Sequence, residues 1–190
     1  MWQTPLGGDG LIRETSPAFL PTSGPMITPE YVRTMAAYNA EMNRRIYDAA
    51  ARLSDEERRR HRGAFWGSIH GTLNHILWGD MAWMSRFDGW DKLAAGIKQS
   101  DALHQDFFAL SNARAEADRR ISDWAGQVNP DWLHGDLAWV SAVLGKEISK
   151  PKTLLVAHFF NHQTHHRGQV HAMLTAAGEK TGDTDLPFIL

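Results

Sequence analysis

Five histidines crowd one stretch of this chain: His158, His162, His165, His166 and His171. Residues 158, 162 and 166 differ by four each time, so on a helix they share one face over three successive turns. Two imidazoles at i and i+4 leave that face one turn apart and can grip a single metal ion. One helix rarely completes such a site. A third ligand has to come from another element, and His75 is the natural candidate. Three neutral imidazoles suit Zn2+, Ni2+ or another first-row divalent ion, at metal–nitrogen distances of about 2.0–2.1 Å. Three protein ligands leave positions open for water or substrate, the pattern of catalytic rather than structural sites. The chain has no cysteine, which removes disulfides, thiolate ligands and a cysteine nucleophile together.

These side chains need long helices to carry them. Thr28-Pro29-Glu30 opens the first, with a Thr cap, Pro at the first helical position and an acid in the first turn. It runs to about Leu53, with Tyr31, Met35, Tyr38, Met42 and Ile46 on one stripe. Ser54-Asp55-Glu56-Glu57 restarts a short turn. Ser68 caps a second long helix that carries His75 and reaches about Phe87. A third spans about Asp101 to Trp124. From Gly126 to Lys152 the pattern is mixed, and Leu137-Ala138-Trp139-Val140 reads as a short strand or an irregular crossover. The last helix opens at Lys150-Pro151-Lys152-Thr153 and is ended by Gly178. Its roughly 25 residues rise ~37 Å, the length of a small bundle. Four amphipathic helices with one long crossover predict an all-α four-helix bundle.

Residues 1–25 are rich in Gly, Pro, Ser and Thr and predict an extended arm, with the helical domain over 26–190. A chain of 190 residues fits that single domain. The net charge of −2 comes without a basic stripe, because Arg58-Arg59-Arg60 sits beside Asp55, Glu56 and Glu57. Nucleic acid is therefore a poor partner. Neither a signal-peptide pattern nor a run of about 18 apolar residues occurs, so a cytoplasmic protein with no membrane association is expected.

Three stretches resemble the DinB family of bacterial metalloproteins. They are Gly67-Ser68-Ile69-His70-Gly71-Thr72-Leu73-Asn74-His75-Ile76-Leu77-Trp78-Gly79-Asp80, then Trp83-Met84-Ser85-Arg86-Phe87, and His158-Phe159-Phe160-Asn161-His162-Gln163-Thr164-His165-His166-Arg167-Gly168-Gln169-Val170. The likeness extends from about residue 28 to Asp185-Leu186-Pro187. The resemblance implies an up-down-down-up bundle, a homodimer, and one divalent transition metal, nickel or zinc, on three histidines. Matched by motif position, the ligands fall on His75, His162 and His166. His165 occupies a position that the family often fills with other residues. Some relatives are S-transferases or isomerases that use a low-molecular-weight thiol. The expected function is a metal-dependent transferase or hydrolase that activates water or such a thiol for a small-molecule substrate. The alternative is a non-catalytic dimeric module that captures a small ligand or serves a stress response.

The neighbours of the motif carry their own expectations. Asn161 and Gln169 could orient an imidazole N–H or bond between helices. His158 is expected to pack rather than ligate. His70 lies about 140° around the helix from His75 and stays off the site. Arg167 points off the metal face into an ion pair, and Asp80 is ion-paired or solvated. Trp78, Trp83 and Trp139 fill core or interface.

Overall fold

The computed structural model describes residues 27–141 and 144–189; the expected arm over 1–25 lies outside them. The described chain is mostly helical. Six α-helices run in order: α1 (Pro29–Ala51), α2 (Asp55–Arg59), α3 (Ile69–Phe87), α4 (Phe107–Gln127), α5 (Pro130–Leu133) and α6 (Lys152–Ala176). A small antiparallel hairpin, β1 (Asp136–Ser141) and β2 (Lys146–Pro151), precedes α6.

Local chemistry sets the helix ends. Thr28 accepts from the Tyr31 amide, Ser54 from Glu57, Ser68 from Gly71 and Asp106 from Ala109, each satisfying an orphan N–H of a first turn. At the far end of α6, Gly178 takes φ +87°. Its amide donates to the Thr175 carbonyl while that of Glu179 donates to Leu174, a paired closure that requires a left-handed residue there.

One expectation is corrected. The third long helix begins at Phe107 rather than Asp101, and residues Ile97–Ala102 form a separate 3-10 turn. Asn74 is the reason: its Oδ1 accepts from the His104 amide and its Nδ2 donates to the His104 carbonyl, which holds the chain away from a continuous helix. The crossover contains a strand at 137–140 as one reading had it, but that strand is paired with a polar partner, Lys-Glu-Ile-Ser-Lys-Pro, whose composition hides it.

α1 packs against α4 and α6, and α3 packs against the same two helices. Between them lie Val32, Leu73, Ile76, Leu77, Met84, Leu110, Ile121, Phe159, Phe160 and Leu174, all buried. Residues Phe87, Trp124, Trp132 and Phe159 cluster at one end: Phe87 stacks on Trp124 at 5.6 Å between ring centroids, while Trp132 and Phe159 meet them edge to face. The contact of α3 with α6 positions the histidines.

Candidate metal centre

His75 leaves the middle of α3 toward α6, where His162 and His166 stand one turn apart. The three converge: one ring nitrogen from each lies within 4.8 Å of the others. Nε2 of His75 and Nε2 of His162 are 3.1 Å apart. Two nitrogens each about 2.1 Å from a shared ion stand roughly 3.0 Å apart at a right angle and ~3.4 Å at the tetrahedral angle. The observed spacing therefore matches a common ion. The ring centroids lie 5.1 Å (His75 to His162), 4.6 Å (His75 to His166) and 4.6 Å (His162 to His166) apart.

The histidines are set up to be neutral, as ligands must be. Burial, then the neighbouring imidazoles, lowers His75 to about 3 and His162 to about 4. Burial also pulls His166 below its ordinary value. His75 and His166 are buried, whereas His162 is half-buried, so the cluster meets solvent on the His162 side.

Partners at the second ring nitrogen fix which nitrogen stays free. Nδ1 of His166 lies 2.9 Å from Oε1 of Gln169, a pure acceptor, so Nδ1 carries the proton and Nε2 is bare. The same Gln169 donates from Nε2 to His165 Nε2 at 3.2 Å. Nδ1 of His75 lies 2.8 Å from the Ser100 hydroxyl, a group that can accept from it; with the proton on Nδ1, Nε2 of that ring is bare as well. Trp66 stacks on His75 at 4.1 Å, and Trp78 stacks at 6.0 Å while donating to the Ala95 carbonyl. These rings keep water off that imidazole.

Behind the centre lies a buried polar network. Asp80 accepts from Arg114 and, at 2.6 Å, from Gln163. Arg114 also pairs with Asp118 at 2.8 Å, and Asn43 donates to Asp118. Asn39 and Arg167 both donate to Gln163 Oε1. Since Gln163 and Arg167 each follow one of the converging histidines, this network fixes the rotation of α6 that presents them.

The structure thus brings together His75, His162 and His166. His70 donates from Nε2 to the His104 carbonyl at 2.9 Å and stays off the cluster. His158 is exposed, its ring 5.2 Å from Trp83 and 5.9 Å from His162. Trp83 and Trp139 pack on each other and on the core. Asp80 is ion-paired. Arg167 points off the cluster, but among the described residues it bonds Gln163 and Thr164 rather than a carboxylate, which corrects the expected ion pair. Asn161 is exposed and orients no imidazole among the described residues. Ser100 and Trp66 went unanticipated because both come from non-periodic segments. A serine 25 positions from its histidine leaves no spacing signal.

A family model described as the DinB family matches residues 26–190. Protein DinB of Bacillus subtilis (strain 168) is 25% identical over 167 residues, covering 80% of this chain and 90% of that protein. No solved structure matches the chain.

Proposed function

The chain belongs to the DinB family, and from that premise we propose that it is a metal-dependent enzyme holding one divalent transition metal, zinc or nickel, on His75, His162 and His166. The observation that carries this reading is the 3.1 Å approach of two imidazole nitrogens in a buried cluster. With the His75 proton on Nδ1 toward Ser100, its bare Nε2 faces His162 Nε2, a spacing that a shared cation fits. When bound, the ion supplies Lewis acidity, lowering the pKa of a water or thiol at its open position. The protein's own groups do the rest. Ser100 and Gln169 hold two ligand tautomers, Trp66 and Trp78 exclude water from His75, and the half-buried His162 leaves the approach for a small-molecule substrate. The chain lacks cysteine, so a low-molecular-weight thiol would be a cosubstrate in a transferase reaction; water in its place gives a hydrolase. In this reading the four long helices form the up-down-down-up bundle of the family, and the protein is a cytoplasmic homodimer. Among the described residues no helix is long and apolar enough to cross a membrane.

One observation favours a second reading, a module that captures a small ligand without turnover. Asp80, the buried carboxylate nearest the cluster in sequence, is committed to Arg114 and Gln163 and is not poised as a base. Turnover of any thiol or ester substrate by loaded protein decides against this second reading.

Elemental analysis of untagged wild type beside His162→Ala tests the metal. About one equivalent in the wild type, lost in the variant, is expected. No metal in either overturns the proposal.

A further inference from the structure

We propose that Gly79 is a positioning residue of the metal centre, holding open the space into which the His162 imidazole turns to meet His75. This rests on reading the three histidines as ligands. Gly79 follows His75 by four residues on α3, so both face α6 one turn apart. Its backbone does not need glycine: Gly79 is absent from the glycines with positive φ, and alanine could adopt its helical conformation. Glycine in a helix interior is in fact less stable there than alanine. What requires glycine is room. A Cβ at residue 79 would stand 2.8 Å from Cε1 of His162 and 3.3 Å from its Nδ1, where carbon atoms in ordinary contact keep about 3.5–4.0 Å.

The atom it would strike matters. Cε1 is bonded to both ring nitrogens, so pushing it away carries Nε2 off its 3.1 Å approach to His75. His162 is also the ligand that lacks a tether. Ser100 holds Nδ1 of His75 and Gln169 holds Nδ1 of His166. Among the described residues no hydrogen bond reaches Nδ1 of His162. Its ring is oriented by the bare backbone of α3 instead. The other close glycine of α3 works differently: a Cβ at Gly71 would meet the Trp66 carbonyl oxygen at 2.6 Å, a backbone clash that threatens the fold. At Gly79 the obstructed group is a side chain that can swing aside, so the fold survives and the ligand set does not.

The test compares wild type, Gly79→Ala and Gly126→Ala, the last at a helical position where a Cβ meets nothing within 4 Å. Zinc affinity is measured by competition with a chromophoric chelator, and melting temperature on chelator-treated protein. Gly79→Ala is expected to lose on the order of 10–100-fold in zinc affinity, the range seen when groups that orient a ligand are removed. Its metal-free melting temperature should equal or exceed that of wild type, and Gly126→Ala should bind as wild type does. Wild-type affinity in Gly79→Ala overturns the inference. A wild type that binds no zinc overturns the ligand reading beneath it, a distinct result. If Gly79→Ala fails to fold, adding His162→Ala must restore folding; a double variant that stays unfolded overturns the stated contact.

Discussion

Nδ1 of His75 lies 2.8 Å from the hydroxyl of Ser100, a fully buried residue on the turn that links α3 to α4. Asn74 and His70 pin that connection at His104. The neighbours of His75 on α3 thus secure the loop that returns to orient it. Ser100→Ala would leave Nδ1 without its partner and free the ring to turn or change tautomer. Zinc affinity is expected to fall about 10–100-fold, with a stability loss near 1 kcal/mol in metal-free protein. Chelator competition and urea denaturation measure the two. Unchanged affinity would remove Ser100 from the site.

Metal-free protein should gain stability as pH rises through the mildly acidic range. His75 titrates at about 3 and His162 at about 4 in the fold, against 6.5 for an ordinary histidine. Between those values and 6.5 the unfolded chain binds more protons than the folded one, so unfolding free energy increases with pH. The contribution is complete above 6.5 and is lost as pH falls toward about 4 for His162 and about 3 for His75. Other groups titrate in the same window, so the informative quantity is the difference from His75→Gln. Urea denaturation at several pH values should give wild type the steeper positive slope. Equal slopes would mean that His75 is not held neutral by the fold.

How far the sequence could be read follows from where each signal resides. His162 and His166 were legible because a four-residue period on a helix puts side chains on one face. His75 lies on a second element, so no spacing ties it to the pair: it stood as the natural candidate for the third ligand, and the motif resemblance assigned it that place. The caps at Thr28 and Ser68 were readable from local chemistry, as was the close of α6 at Gly178. The start of α4 was not, because the hydrogen bonds from Asn74 to His104 act across 30 residues and override local helix preference. β2 escaped for the opposite reason. Its residues are mostly exposed, so no apolar alternation marks it. Ser100 and Trp66 reach His75 through loop geometry, which a periodic pattern cannot encode.

The polar network behind the centre makes Arg114 a stability determinant. Arg114 is 2% exposed and sits between Asp80, which is 0% exposed, and Asp118. Burial raises Asp80 to about 6 even with Arg114 opposing it. Arg114→Met would strip the buried Asp80 and the partly buried Asp118 of the guanidinium that pairs with both. A loss of about 3–5 kcal/mol is expected, typical of removing one partner of a buried pair. Denaturant titration reads it directly. A loss below about 1 kcal/mol, the scale of exposed pairs, would show that the network relaxes or takes up water.

Gln169 offers the sharpest contrast between two neighbouring histidines. Its Oε1 accepts from His166 Nδ1 at 2.9 Å while its Nε2 donates to His165 at 3.2 Å. Only the first of these bonds orients a residue of the cluster; His165 is exposed and lies outside it. Gln169→Leu removes the acceptor that keeps the His166 proton on Nδ1, so zinc affinity should drop about 10–100-fold. Gln169→Glu places a carboxylate against the same N–H and makes the imidazole a stronger donor, so affinity should match or exceed wild type. His165→Ala should retain metal, whereas His166→Ala should lose it. Zinc titration of the four variants gives a pattern that general destabilisation cannot mimic, because one substitution at position 169 weakens binding and the other does not. If Leu and Glu at 169 behave alike, the hydrogen bond to His166 plays no part in holding the ion.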